Sequence, residues 1–142
     1  MSEIQRRTKP FVLSRAGEDR LVRAHPILQK LLREVLFYKD FTLVESLRTL
    51  EKQKEYVRKG VSKTLKSKHL PNKNGFSLAV DIYPYPIPRT KSGEIDSSSK
   101  EWDALARVVY YCAGRLGIDN LEWGGSWTSF IDKPHFQLNM EE

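Results

Sequence analysis

Two stretches carry apolar residues at helical spacing, and together they fix most of what this chain can fold into. In the first, Pro26 is followed by Ile27, Leu28, Leu31, Leu32, Val35 and Leu36, with Lys30, Arg33 and Glu34 between them. Steps of three and four residues gather the apolar set on one side of an α-helix, and proline suits the first turn. In the second, Trp102, Leu105, Ala106, Val109, Ala113 and Leu116 form one face, with Ser98 and Glu101 spaced as a capping box and Gly117 as the stop. Each stripe has to be buried against a partner, and short strands are on offer. Phe41–Leu47 and Leu78–Tyr83 read as strands, the latter ended by the prolines of YPYPIP; Leu121–Trp123 and Pro134–Leu138 follow, separated by a glycine turn at Gly124-Gly125. A charged helix from Leu50 to Lys59, capped by Thr49 and ended by Gly60, completes the set. Helices and strands do not alternate regularly, which predicts an α+β fold with a small, mostly antiparallel sheet packed against helices. No repeat or linker divides residues 1–142, so a single domain is expected.

Such a fold has to be held by its core. The single cysteine, Cys112, rules out an internal disulfide and a cysteine-rich zinc module, and its place on the apolar face of the second helix predicts a buried, inert thiol. No apolar run approaches the ~18 residues of a membrane span. The polar N-terminal segment lacks the apolar core of a secretory signal, so synthesis in the cytoplasm is expected. Charge is uneven: residues 1–70 hold 17 Lys and Arg against 8 Asp and Glu, whereas residues 71–142 hold 7 against 10. A basic first half can attract a polyanion or can simply be a solvated surface; no P-loop, zinc-finger spacing or RNP-like aromatic pattern accompanies it, so no specific nucleic acid is expected.

Three histidines are present. His25 precedes Pro26 at the mouth of the first helix, where a capping role is expected. His69 lies in a loop just before the strand that carries Asp81, and His135 lies in the last strand, three residues after Asp132. Two imidazoles and a carboxylate are the nitrogen and oxygen donors that a catalytic zinc takes, with a fourth position left for water. Asp81 is mid-strand, where an unpaired buried carboxylate would cost several kcal/mol; a cation removes that penalty, and so does the solvated face of an edge strand. Both readings stand on the strand alone.

The ordered motifs Ser67-Lys-His69, Ala79-Val-Asp81, Glu122-Trp-Gly-Gly-Ser-Trp127 and Asp132-Lys-Pro-His135 resemble the M15 family of zinc peptidoglycan peptidases. The likeness is greatest to its L-alanyl-D-glutamate endopeptidase branch, which includes bacteriophage endolysins. The arginine and glutamine of Arg48-Thr-Leu-Glu-Lys-Gln53 resemble a further family segment. The resemblance implies a hedgehog/DD-peptidase-like domain in which His69, Asp81 and His135 hold Zn2+, Asp132 is the general base, Arg48 stabilises the oxyanion, and Gln53 and Ser67 contact substrate. Without the family, Arg48 reads equally as an ion pair with Glu45 or Glu51. Glu122 is expected to support the site, and Trp123 and Trp127 either wall a cleft or pack in the core. Two departures are visible: the gap from His69 to Asp81 is longer than the commonest family form, and Ser77 stands where a glycine is usual. An inserted loop, Leu70–Gly75, would absorb the extra residues.

The implied activity is hydrolysis of the L-Ala–D-Glu bond of peptidoglycan stem peptides by a monomeric endolysin without a separate wall-binding domain, reaching the wall through a holin-type pore. A D-Ala–D-Ala carboxypeptidase or dipeptidase would use the same metal set, and a non-catalytic basic binding module is the reading outside the class. If the basic half draws the protein to anionic wall polymers, raising salt slows lysis of intact walls more than cleavage of a small neutral substrate; equal slowing would remove that attraction.

Overall fold

The structure is a computed structural model that describes residues 4–62, 64 and 66–140. Its elements run α1 (Arg15–Leu21), α2 (Pro26–Val35), β1 (Phe41–Glu45), α3 (Leu50–Arg58), β2 (Ala79–Pro84), α4 (Glu101–Arg115), β3 (Leu121–Trp123), a 3-10 turn (Gly124–Ser126) and β4 (His135–Leu138). The four strands form one antiparallel sheet in the order β1-β2-β4-β3. This is the α+β architecture expected from the pattern.

Alternation along the strands sorts the sheet into two faces. Phe41 and Leu43 of β1, Val80 and Ile82 of β2, and Phe136 and Leu138 of β4 turn into one core with Leu28, Leu31, Leu32 and Val35 of α2 and Leu105, Ala106, Val109 and Cys112 of α4. The side chains between them, Asp81, His135 and Gln137 among them, belong to the other face, because successive strand residues point to opposite sides. Burying the two helical stripes against one face thus leaves the second face free to carry polar groups.

Local chemistry matches most of the sequence reading. The His25 Nδ1 accepts from the Ile27 N–H at 3.1 Å and caps α2; Thr49 Oγ1 caps α3 by accepting from Lys52 N–H at 3.1 Å. Gly60 and Gly117, with φ of 76° and 74°, end α3 and α4 in the left-handed conformation that glycine adopts without strain. The start of α4 differs from expectation. Ser98 does not form a capping box: its hydroxyl donates to Asp96 Oδ1 at 2.6 Å, Ser99 Oγ accepts from the Glu101 N–H, and the Glu101 carboxylate reaches Lys39 at 2.8 Å. Asp96 wins because it folds the preceding loop into its own turn. The expected glycine turn at Gly124-Gly125 is a 3-10 turn that leads away from β3. Helix α1, capped by Ser14 Oγ, has no apolar period long enough to announce it.

Cys112 is fully buried, and burial pushes its thiol up to about 12. Since the thiolate is the reactive form, a thiol reagent at pH 8 is expected to leave the native protein unlabelled over a time in which the denatured chain reacts completely. Equal rates in the two states would contradict the buried placement.

Candidate active site

Asp81 and His135 are direct cross-strand partners in the β2–β4 pair. Side chains opposite one another in an antiparallel pair stand about 5 Å apart at Cβ, so register alone brings carboxylate to imidazole: His135 Nδ1 lies 3.3 Å from Asp81 Oδ1. His69 arrives from the loop before β2, with its Nε2 3.1 Å from the same oxygen. That loop is pinned by three bonds: Arg48 N–H donates to the His69 carbonyl, Leu78 N–H to the Lys68 carbonyl, and His69 N–H to Ser67 Oγ.

The ring nitrogens that face away from Asp81 are both engaged. His69 Nδ1 is 2.8 Å from the Ser46 carbonyl oxygen, which can only accept, so Nδ1 carries the hydrogen. His135 Nε2 faces Gln137 Oε1 at 2.8 Å. Neutral rings held this way present bare lone pairs to a carboxylate oxygen. The three ligand atoms lie within 4.8 Å of one another, and such a cluster repels itself unless positive charge sits in it, as protons or as a cation. Burial pushes the Asp81 carboxyl up, but when protons supply that charge, the charge of His69 and the hydrogen bonds then donated by both rings outweigh burial and hold it below the usual carboxylate range. Tetrahedral zinc with bonds of ~2.0–2.1 Å keeps its ligand atoms about 3.3 Å apart, close to the 3.1 and 3.3 Å separations here. Two of the three separations match that spacing and the third lies within 4.8 Å, so the donor set is compatible with a metal ion of this kind.

Asp132 sits on the turn that enters β4. His135 N–H donates to its carbonyl and its own N–H donates to the Gly124 carbonyl, so the strand begins only at His135. The bend at Lys133-Pro134 explains how an offset of three residues serves one site. Asp132 Oδ2 lies 3.9 Å from His135 Nδ1. Burial first, then the Asp81 carboxylate, raises the Asp132 pKa above its ordinary value against the opposing pull of His135, His69 and Arg48. A carboxylate with raised basicity beside the ligand cluster is placed to take a proton from water held there.

Arg48 is 8% exposed and lines the same cleft. Its guanidinium makes a two-pronged pair with Glu45, donates to Gln53 Oε1 at 2.6 Å and lies 4.5 Å from the Tyr56 ring centroid. The ion pair with Glu45 therefore exists, and it orients a buried arginine instead of decorating the surface. Gln53 is fully buried behind Arg48; its amide donates to Ser62 Oγ and to the Thr64 carbonyl, and it is absent from the cleft wall. Ser67 does line the cleft, with its hydroxyl oxygen engaged by the His69 N–H.

The cleft has a volume of about 830 Å³, with exposed Val61 and Ile131 among its lining residues. Trp127 walls it, with its ring centroid 5.1 Å from that of His135. Trp123 stacks on Phe136 and donates its indole N–H to the Lys133 carbonyl, so it packs with the core. Glu122 supports Trp127 by accepting its indole N–H. The longer loop after His69 folds back as a turn around Asn72, which accepts from the Asn74 and Phe76 N–H groups, and Phe76 packs edge-on against His25. None of residues 70–76 reaches the cleft, and Ser77 is completely buried with its hydroxyl on the Ala79 carbonyl. Ser46, Tyr56 and Gln137 were not singled out from sequence; only Gln137, two residues from His135 on one strand, carried a signal that could have found it.

The model of the phage L-alanyl-D-glutamate peptidase family matches residues 9–138. The chain belongs to that family. Among relatives, the L-alanyl-D-glutamate peptidase of Escherichia phage T5 is 30% identical over 128 residues, spanning 86% of this chain and 85% of that protein. The L-alanyl-D-glutamate peptidase of Listeria phage A118 is 34% identical over 106 residues, 75% of this chain but only 31% of that protein, so the chain spans about a third of its length. The crystal structure of the Serratia marcescens L-Ala D-Glu endopeptidase ChiX superposes with a TM-score of 0.72 at 34% identity, covering 90% of each chain. The family read from the motifs is thus the family found, and the fold is shared with a solved L-Ala D-Glu endopeptidase.

In this family member Gly124 has a defined purpose. A Cβ there would stand 2.3 Å from the Asp132 carbonyl oxygen and 3.1 Å from the Cβ of His135. Gly124→Ala is expected to push Asp132 off the cluster and lower peptide hydrolysis by about 10²-fold, the scale for a misplacement near 1 Å. A wild-type rate would show that Asp132 need not be held there.

Proposed function

We propose that this chain is a zinc peptidase that hydrolyses the L-Ala–D-Glu bond of peptidoglycan stem peptides, with His69, Asp81 and His135 as metal ligands. The observation that carries the reading is the convergence of two imidazoles, each with its outer nitrogen already committed, on one carboxylate in the wall of a peptide-sized cleft. Family membership and the L-Ala D-Glu endopeptidase activity named for the Serratia neighbour support the choice of bond.

Zinc, when bound, supplies a Lewis acid that lowers the pKa of water from 15.7 toward ~7 and polarises a carbonyl. The remaining work falls to this chain's residues. Asp132 accepts the proton of the attacking water as its oxygen bonds to the L-Ala carbonyl carbon. Arg48, oriented by Glu45 and Gln53, faces the oxygen on which negative charge develops. Asp132 then returns the proton to the D-Glu nitrogen as the C–N bond breaks, leaving a carboxylate and a free amine. Trp127 shields one side of His135 from solvent. Ser67 sets the turn that carries His69 and presents its side to the substrate, and Gln53 acts through Arg48.

This activity fits a monomeric endolysin that is made in the host cytoplasm and meets its substrate at the wall after holin-type release. Among the described residues no helix is long and apolar enough to cross a membrane.

Mass spectrometry of purified muropeptides incubated with zinc-loaded protein tests the reading. A chelator-sensitive product with the stem cut before D-Glu is expected; loss of only the terminal D-Ala would make it a carboxypeptidase, and intact muropeptides would favour a binding module. Asp132→Asn is expected to keep its zinc and lose about 10²–10⁴-fold in rate, whereas His69→Ala, Asp81→Ala or His135→Ala should lose tight zinc binding and activity together.

A further inference from the structure

Beyond the ligands, a line of polar side chains leads from His135 across the open face of the sheet. His135 Nε2 meets Gln137 Oε1 at 2.8 Å, Gln137 Nε2 donates to Asn139 Oδ1 at 2.8 Å, and Asn139 Nδ2 donates to Glu122 Oε1 at 2.7 Å. Glu122 Oε2 accepts the Trp127 indole N–H, and the Trp127 ring returns to lie against His135. Register builds this circuit: Glu122 is the cross-strand partner of Gln137 in the β3–β4 pair, and Gln137 shares the face of His135 two residues away.

The direction of the line is dictated from its far end. An ionised carboxylate accepts and cannot donate, so Asn139 must turn its amide nitrogen to Glu122 and its oxygen to Gln137. Gln137 must then turn its nitrogen to Asn139 and its oxygen to His135. Facing an oxygen that only accepts, His135 must keep a hydrogen on Nε2, so that when a cation takes the place of the proton between Nδ1 and Asp81 the neutral ring turns its Nδ1 lone pair to that cation. Resting on the metal-site reading above, we infer that Glu122, Asn139 and Gln137 are positioning residues that set the tautomer of His135 and so prepare Nδ1 as a metal ligand.

A single isosteric change should reverse the line. In Glu122→Gln the Trp127 indole, a donor only, must take the new amide's oxygen, so the amide nitrogen faces Asn139. Both amides downstream then turn over, and Gln137 donates to His135 Nε2. The hydrogen moves to Nδ1, where it opposes metal binding. Removing the indole donor releases this constraint, so Trp127→Phe in the same chain lets the amide at position 122 turn back.

The test measures zinc affinity by competition with a chromophoric chelator at fixed pH, together with imidazole 15N shifts of His135 in the metal-free protein at a pH where the ring is neutral. Glu122→Gln is expected to weaken zinc binding by about 10-fold or more, the range for partners of metal-bound histidines, and to move the His135 hydrogen from Nε2 to Nδ1. The double variant should bind zinc as Trp127→Phe alone does, with the hydrogen back on Nε2. An unchanged tautomer and affinity in Glu122→Gln would overturn the inference, as would a double variant no better than Glu122→Gln. Should the wild-type chain fail to take up zinc, the metal reading falls, and the nitrogen shifts still decide the line.

Discussion

Asp81 is the residue on which the site depends. It stands in the second strand of a four-stranded sheet with an imidazole nitrogen on either side, 3.1 and 3.3 Å from one carboxylate oxygen. Each ring is anchored at its far nitrogen, His69 by the Ser46 carbonyl and His135 by Gln137, so neither can rotate away to relieve lone-pair repulsion. The arrangement is stable only with positive charge in its midst. Protons can supply that charge, and a divalent cation displaces them, so metal affinity should fall as pH falls.

The fold serves this cluster by keeping its two faces separate. Helices α2 and α4 consume one face of the sheet with Leu, Val and Ala side chains. The other face is left for Asp81, His135 and Gln137, whose placement follows from strand alternation and from the β2–β4 register. The groups that cannot come from strands arrive on tightly bonded turns. His69 is tied to Arg48 by a backbone hydrogen bond, and Asp132 is tied to Gly124. Arg48 follows β1 and is fixed from two sides by Glu45 and Gln53. His69, Asp132 and Arg48 are therefore held by backbone contacts that join otherwise distant parts of the chain.

The elements with long apolar periods, α2 and α4, were legible in the sequence, as were β2 and the residues that converge on the site. What was hidden has physical causes. Helix α1 spans two turns and contains Gly17, too short a window for a period to emerge. Strand β1 stops at Glu45, short of the expected Leu47, because the register shifts after Leu43 and Ser46 turns its carbonyl to His69 and its hydroxyl to the Arg20 carbonyl. The start of α4 depended on which of several neighbouring serines and aspartates would fold the loop, a competition that spacing does not resolve. Gln53 is written as a helix residue on a charged surface helix, yet it is fully buried because Arg48 and the segment at Ser62 and Thr64 close over it. Its partners are set by tertiary contacts, and no local pattern could name them.

Zinc-edge X-ray absorption on the stoichiometrically loaded protein tests the central claim most directly. The account predicts a sulfur-free first shell of nitrogen and oxygen at about 2.0–2.1 Å, with outer-shell scattering from two imidazoles. Scattering from one imidazole or none would contradict it.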